Sequence, residues 1–455
     1  MDRWIVRPRI LGTVFRRRNP GVHARGKRLK RDQASLGLPT RANSTTYCGT
    51  VALPALLSIA ALVLVPLALW GVLSPLSDII SALKVVVRRA RAPAAGGAQP
   101  RLLLLVPAHN EAALIQRCVT SLRGQDHPPG AMSIVVLADN STDATADLAR
   151  AAGAMVLVRT DPERRGKGHA IGWALERLDW PSYDAVVIVD ADTTIDSDYY
   201  HRLAESSPLR SKAVQCYDGL SNENENWLTL LAGMITRNRY DLALPLKQSA
   251  GLRVPLTGDG TLLGSDILRR HGWRTDSLTE GWDLYARLTL AGEQIDLAGR
   301  ARIYAQEARS LEQAGSQRAR WTSGRASVLR ENWAKILASR SISLHQKLDL
   351  FAELSSPGPV LTVTIALLGL VAAALLPSGW PRLALLAAFA APLAQQGGYT
   401  LVSVARHPRP LSVLGAALRL PFYAVWRIAL ATRLLAAGKP REWARTERHQ
   451  EHRKS

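Results

Sequence analysis

The stretch VIVDADTTID, residues 187–196, places two carboxylates one residue apart directly after a run of apolar residues. Asp190 and Asp192 could bind one divalent cation such as Mg²⁺ or Mn²⁺, because these ions prefer hard oxygen ligands. Such a cation could neutralise a diphosphate while a bond to it breaks. The alternative is that the two acids only cap a turn. The spacing of the two acids is compatible with both interpretations.

Four apolar runs indicate how these acids are positioned. The runs cover residues 101–108, 133–139, 154–159 and 185–192, and helical stretches separate them. Runs that are apolar throughout predict parallel strands covered on both faces, and therefore an α/β domain. In such sheets ligands bind outside the carboxyl ends of the strands. The sequence therefore predicts that the polar residues after these runs share one site.

Several ordered motifs give the chain a family resemblance. The stretches VPAHNEAALIQRCVTSL, LADNSTDATADLA, RRGKGHAIGWAL and VIVDADTTID together resemble the nucleotide-binding half of family 2 glycosyltransferases, which have a Rossmann-like GT-A fold. LTEGWDLYARLTLAG resembles their acidic base motif, and QRARW (317–321) resembles the Gln-x-x-Arg-Trp motif. That motif marks membrane-embedded members such as cellulose, chitin, hyaluronan and poly-N-acetylglucosamine synthases. The resemblance covers roughly residues 100–335.

The resemblance implies a role for each matching residue at the donor site. Glu111 and Asp139 would bind the uridine moiety, Lys167 would lie near the diphosphate, Asp190 near the donor, and Asp192 on the metal. For Asp139 the alternative is that the stretch DNST only caps the following helix.

The Gln-x-x-Arg-Trp residues Gln317, Arg320 and Trp321 have their own implied roles. Arginine would supply a permanent charge to the departing diphosphate, and tryptophan would offer a flat face to a sugar. The alternative is an amphipathic helix that docks on the membrane.

The base motif departs from the family pattern. The family has Thr-Glu-Asp with the aspartate as general base, whereas this chain has Thr279-Glu280-Gly281. We expect Glu280 to be the base rather than Asp283, which lies one helical turn further on. An aspartate at position 281 would restore the family pattern. The departure also allows a second hypothesis, a catalytically inactive glycosyltransferase-like subunit of a membrane assembly.

Composition and charge predict a membrane protein. The chain has 58 Lys+Arg against 37 Asp+Glu, a net charge of +21, which suggests an anionic partner. Three stretches contain no charged residue, namely 42–77, 354–381 and 383–405. Each run could cross a hydrocarbon core of about 30 Å. Much of the excess charge lies in the tail and beside these runs, which favours membrane lipids over nucleic acid. A membrane-anchored nucleic-acid binder is the less favoured alternative.

We therefore expect a multi-pass protein of the cell (plasma) membrane with a cytoplasmic catalytic domain, because nucleotide sugars are made in the cytosol. The expected reaction is inverting transfer from a nucleotide sugar, with UDP as the expected nucleotide, to a glycan or lipid-linked acceptor in bacterial polysaccharide biosynthesis. The expected segments are a basic disordered tail (1–45), a transmembrane segment (50–75), the GT-A domain (100–340), two transmembrane helices (355–405), an interfacial or third transmembrane helix (411–437) and a basic tail (438–455).

Overall fold

The structure is a computed structural model that describes residues 61–87, 99–273 and 279–437. The two predicted basic tails, and the first part of the predicted transmembrane segment 50–75, lie outside these residues.

Within the described residues one eight-stranded sheet has the strand order β3-β2-β1-β4-β7-β6-β8-β5. The first four strands in this order are parallel to one another, as the apolar runs predict. The other half of the sheet is mixed, since β7 is antiparallel to both β4 and β6 whereas β8 is parallel to β6. The strands are β1 Leu102–Ala108, β2 Met132–Asp139, β3 Met155–Arg159, β4 Ala185–Ile188, β5 Thr194–Ile195, β6 Ala213–Leu220, β7 Thr261–Gly264 and β8 Ile295–Ala305.

Both faces of the sheet are covered by helices. Successive side chains of a strand point to opposite faces, and in β1 Leu103 and Leu105 belong to one buried cluster while Leu102 and Leu104 belong to the other. This burial on both faces explains why β1 is apolar throughout. The helices are α1 Ala61–Val87, α2 Ile115–Arg123, α3 Thr145–Ala151, α4 Lys167–Leu175, α5 Tyr199–Ala204, α6 Trp227–Arg237, α7 Leu244–Ser249, α8 Ser265–His271, α9 Glu280–Leu290, α10 Leu311–Ala338, α11 Leu344–Ser355, α12 Pro359–Ala374, α13 Trp380–Ala405, α14 Pro410–Ala417 and α15 Leu420–Ala437.

The apolar helices differ in detail from the expected spans. In the described part of the chain, α1 is long and apolar enough to cross a membrane, with 27 residues and a mean hydropathy of 1.8. It continues to Val87, beyond the expected end at residue 75. The pairs α11–α12 and α14–α15 are bent by 94° and 49°, and each qualifies only if the pair forms one span. Helix α13 has 26 residues but is not apolar enough to qualify, although the sequence predicts a crossing there.

A buried ionic cluster joins the α/β domain to the helices that flank it. Lys247 in α7 lies 2.8 Å from Asp349 and 2.9 Å from Glu353, both in α11. Arg239 lies 3.2 Å from Glu353, and the Ser77 hydroxyl of α1 donates to Asp349 at 2.8 Å. The Asp349 side chain is fully buried. Because a buried charge without a counter-charge is costly, this cluster fixes how the domain sits on α1 and α11.

Replacing Lys247 with methionine is expected to destabilise the protein by about 3–5 kcal/mol, because two buried carboxylates would lose their principal counter-charge. The measurement is the thermal unfolding midpoint of the full chain in detergent. Arg150→Gln is the control, since Arg150 forms an exposed pair with Asp147 that contributes roughly 0–1 kcal/mol. Equal midpoints for the two variants would show that the cluster does not stabilise the fold.

Candidate active site

A cavity of about 1790 Å³ opens at the carboxyl ends of β1, β2 and β4. This is the edge at which the sequence predicts the site. The cavity continues past the strand ends to α10, α12 and α15. All but one of the site residues predicted from the sequence line this cavity, and the exception is Asp283. The residues that line it are Glu111, Asp139, Lys167, Asp190, Asp192, Glu280, Gln317, Arg320 and Trp321.

Two asparagines shape the loops after β1 and β2. Asn110 and Asn140 have φ angles of 54° and 50°, a left-handed conformation that asparagine tolerates better than most residues. The Asn110 side chain accepts a hydrogen bond from the Thr142 amide at 2.8 Å, and the Glu111 amide donates to the Thr145 hydroxyl at 2.7 Å. The two loops thereby hold each other and place Glu111 on the cavity wall.

Asp139 forms an ion pair at the end of β2. Arg159, at the end of the neighbouring β3, donates to one Asp139 oxygen at 2.5 Å, and both side chains are buried. The Asn140 amide donates to the same oxygen at 3.0 Å. The pair leaves the second carboxylate oxygen of Asp139 as the one that a ligand in the cavity could contact.

Lys167 and Asp190 form a direct ion pair in the site. The Lys167 ammonium, at the start of α4, donates to the Asp190 carboxylate. Burial opposes the charge on Lys167, but the carboxylates of Asp190, Asp259 and Glu280 outweigh it and raise the pKa of the lysine. Lys167 therefore stays a cation at neutral pH.

Asp259 is a residue of the site that the sequence analysis missed. Its carboxylate accepts from the Asp190 amide at 2.9 Å and from the Thr193 hydroxyl at 2.6 Å, so it fixes the turn that carries Asp190 and Asp192. Burial and then the nearby Asp190 carboxylate raise the pKa of Asp259 to about 7. The available signal in the sequence was the stretch Gly258-Asp259-Gly260 before β7. In the structure both of these glycines have positive φ angles.

Further carboxylates make this end of the cavity strongly acidic. Asp218 on β6 also lines the cavity, and burial together with Asp259, Asp190 and Asp192 raises its pKa. Among the described residues no group of three or more His, Cys, Asp or Glu side chains has metal-binding geometry. The donor set nevertheless fits a divalent cation held by one or two carboxylates, with a bound diphosphate as its other ligand, as is usual for Mg²⁺.

The Gln-x-x-Arg-Trp residues lie on α10 along the opposite wall. Arg318, which the sequence analysis did not single out, lies 3.0 Å from Glu307 and covers the Trp321 ring at 4.7 Å from its centroid. One face of Trp321 is therefore already occupied, and a sugar could stack only on the other.

The region of the base motif shows why position 281 is glycine. A Cβ atom on Gly281 would lie 2.6 Å from the Gly258 nitrogen and 2.8 Å from the Leu256 oxygen, both backbone atoms. The expectation that an aspartate at 281 would restore the family pattern is thus not supported, because its side chain has no room. Glu280 lines the cavity, whereas Asp283 accepts a hydrogen bond from Arg287 on its own helix at 2.9 Å.

Comparisons with known proteins match the chain to glycosyltransferases and to synthases of glycolipids and polysaccharides. Residues 100–324 match the family model described as glycosyltransferase like family 2. The chain is 28% identical over 260 residues to a beta-monoglucosyldiacylglycerol synthase of Nostoc sp., covering 54% of this chain and 53% of the relative. It is 25% identical over 250 residues to a poly-beta-1,6-N-acetyl-D-glucosamine synthase of Staphylococcus epidermidis, covering 53% and 58%. The chain thus spans about half the length of these curated relatives.

Among solved structures, a mannosyltransferase from Pyrobaculum calidifontis in complex with GDP-Man and Mn²⁺ is similar in fold. The similarity covers 82% of this chain and 100% of that one, with a TM-score of 0.51 and 19% sequence identity. At this identity the similarity concerns the fold alone.

Replacing Gly281 with alanine is expected to destabilise the protein by about 1–3 kcal/mol, because the added methyl group would press on the 256–258 backbone. Gly281→Asp should be at least as unstable and should not gain activity. Gly315→Ala in α10 is the matched control, since a Cβ there lies 3.9 Å from its nearest neighbour, Trp426. The measurement is the thermal midpoint in detergent, and a Gly281→Asp protein that is both stable and faster would contradict the packing argument.

Proposed function

Residues 100–324 are a glycosyltransferase domain of family 2, as the motifs suggest, and on this premise we propose that the chain transfers a sugar from a nucleotide-sugar donor to a glycan or lipid-linked acceptor. One observation carries the proposal. A single cavity joins the acidic strand ends and Lys167 on one wall to Gln317, Arg320 and Trp321 on the other. The names of the two curated relatives, a glucolipid synthase and a polysaccharide synthase, support both acceptor classes.

The donor would lie along the carboxyl edge of the sheet. Glu111 and the second oxygen of Asp139 would bind the base or the ribose hydroxyls, for which carboxylates are suitable acceptors. Lys167 and Arg320 would oppose the diphosphate from either side. We propose a UDP-sugar, although the Pyrobaculum enzyme was crystallised with GDP-Man, so the donor panel below includes both nucleotides.

A divalent cation, Mg²⁺ or Mn²⁺, fits the same edge. Asp192 would hold it, with Asp190 as the second carboxylate. Lys167 also engages Asp190, so this carboxylate would be shared between the lysine and the cation. When bound, the cation supplies positive charge to the leaving diphosphate.

The sugar transfer itself would be inverting. An acceptor hydroxyl oxygen attacks the anomeric carbon from the side opposite the diphosphate and forms the new glycosidic bond while the bond to the diphosphate breaks. Glu280 takes the hydroxyl proton, and the nucleoside diphosphate leaves with the bonding electrons. Glu280 is suited to this role because it lines the cavity and contributes to the field at Lys167.

The apolar helices support a location at the cytosolic face of the cell membrane, as part of bacterial polysaccharide biosynthesis. Helix α1 and the bent pairs α11–α12 and α14–α15 would then make the protein multi-pass.

The second candidate function is a catalytically inactive assembly subunit. The observation in its favour is Gly281, which stands where the family has its aspartate base.

Asp192→Asn is expected to lower turnover at least about hundredfold, because the leaving diphosphate loses its main source of positive charge. The assay is release of nucleoside diphosphate by the full chain in detergent or nanodiscs, with a panel of UDP- and GDP-sugars. Asp147→Asn, at an exposed carboxylate on α3, should match wild type. Full activity of Asp192→Asn in excess chelator would end the metal hypothesis, and a wild-type protein inactive with every donor would favour the assembly subunit.

Glu280→Gln is expected to reduce sugar transfer by about 10²–10⁴-fold while donor affinity is kept, because the amide cannot take the acceptor proton. Asp283→Asn should stay close to wild type, since Asp283 only pairs with Arg287 on its own helix. Transfer rates and donor binding of the two variants are compared in parallel. A fast Glu280→Gln enzyme beside a slow Asp283→Asn enzyme would assign the base to Asp283.

A further inference from the structure

The far part of the cavity is apolar. Beyond α10 its wall consists of side chains from α12 and α15, among them Leu361, Leu367, Leu368, Leu420, Val425 and Ile428. The same cavity therefore runs from the acidic strand ends to a hydrophobic wall. A ligand that fills both parts must be amphiphilic.

Besides Arg165 and Arg320, four arginines line the same cavity. Two have carboxylate partners, Arg239 with Glu353 at 3.2 Å and Arg318 with Glu307 at 3.0 Å. The other two, Arg325 and Arg427, form no ion pair within 4.0 Å among the described residues. These two guanidiniums therefore have no carboxylate in direct contact in the described structure.

Arg427 is placed to bind a ligand. It is the one residue of this group on the apolar helix α15, and only 7% of it is exposed. One terminal nitrogen donates to the Pro357 carbonyl at 3.0 Å, while its other terminal nitrogen is buried and has no hydrogen-bond partner in the described structure. A buried guanidinium with an unused donor costs free energy unless an anion is bound.

Arg325 shares this environment from α10. Its guanidinium lies 5.2 Å from the centroid of the Trp282 ring, and its Nε is buried and has no partner among the described residues. Burial, together with the charges of Arg239 and Arg427 and against the opposing charge of Glu353, lowers the pKa of Arg325 to about 10. These like charges repel one another, and a bound anion would relieve the repulsion.

The donor diphosphate does not account for these two arginines. Arg320 and Arg325 are five residues apart on one helix, so their side chains leave the axis about 140° apart. Arg320 is the arginine that the Gln-x-x-Arg-Trp motif assigns to the diphosphate. Arg427 comes from the apolar wall, where the chain of an amphiphile would lie. Two anionic groups at separate places fit this arrangement better than one.

We propose that Arg325 and Arg427 bind the phosphate of a lipid acceptor whose apolar chain lies against α12 and α15. This inference rests on the proposed function, whose acceptor class it specifies. The phosphate could be the diester of a glycerophospholipid or the monoester of an isoprenoid chain, and either can accept bidentate hydrogen bonds from arginine. With the diester, a head-group hydroxyl attacks the anomeric carbon and gives its proton to Glu280. With the monoester, an ionised phosphate oxygen attacks and no proton passes to Glu280, while the nucleoside diphosphate leaves in both cases. A neutral diglyceride or a soluble glycan would leave both guanidiniums without a counter-charge.

The test uses the full chain in maltoside micelles, which contain no phosphate, with the donor found in the panel. Phosphatidylglycerol, an isoprenoid monophosphate and diacylglycerol are supplied separately as acceptors, and labelled sugar is measured in each lipid. Wild type should prefer one of the two phosphate lipids to diacylglycerol at least about tenfold. Arg325→Gln and Arg427→Gln should each raise the KM for that acceptor about tenfold to hundredfold, the effect of losing a charged hydrogen bond.

Controls separate this site from the donor site. Nucleoside-diphosphate release without an acceptor should be unchanged in both variants, and Arg433→Gln, an exposed arginine on the same helix, should match wild type. Arg427→Lys should recover part of the affinity and so exclude misfolding. Equal use of diacylglycerol, or an unchanged acceptor KM, would overturn the proposal. Loss of donor turnover in both variants would instead assign the two arginines to the donor diphosphate.

A binding measurement keeps the test independent of turnover. Fluorescent phosphatidylglycerol and a fluorescent isoprenoid monophosphate are titrated by anisotropy beside fluorescent diacylglycerol. At least one phosphate lipid should bind wild type more tightly than diacylglycerol does and should lose that advantage in Arg427→Gln. If the wild type turned over no donor but kept this preference, the proposed function would fail while the phosphate site stood. Equal binding of all three lipids would refute the site whatever the activity.

Discussion

The active-site turn depends on one buried carboxylate. Asp259 accepts hydrogen bonds from the Asp190 amide and the Thr193 hydroxyl, and these bonds close the turn that follows β4. Without them, the acids crowded at this sheet edge would repel one another and open the turn. Lys167 offsets part of that repulsion from the start of α4. The turn that carries the acids at the end of β4 is therefore held by a third acid from a distant part of the chain.

The sequence predicted half of the sheet well for a physical reason. Strands β1 and β4 at the centre of the sheet are buried on both faces, and such strands read as continuous apolar runs. Strand β6 carries Gln215 and Asp218, so its pattern is interrupted, and β7 has only four residues. The pairing of β7 with β4 joins residues far apart in the chain. Asp259 reaches the site through that pairing, and Asp218 through the further pairing of β6 with β7. No local pattern could place them beside Asp190.

Gly281 shows where comparison by motif falls short. The motif alone suggests that a base has been lost, whereas the structure shows that the backbone of residues 256–258 occupies the space of a side chain at that position. The same segment leads into Gly258 and Asp259. The close approach of α9 to this segment therefore both excludes a side chain at 281 and helps to place Asp259 under the turn of Asp190. The altered base motif and the acidic turn are parts of one packing arrangement.

The cavity is electrostatically polarised, and this orients its ligands. At the sheet edge the carboxyl groups of Asp192, Asp218 and Asp259 are crowded together, and the raised pKa values of Asp218 and Asp259 show that this region disfavours further negative charge, such as that of a bare phosphate. On α10 and α15, Arg325 and Arg427 create a positive potential next to an apolar wall. A lipid phosphate would avoid the first region and bind in the second, and the head group of a glycerophospholipid would then extend from its phosphate toward Glu280. The charge distribution thus sets the direction in which an amphiphilic acceptor enters, before any contact with the donor is made.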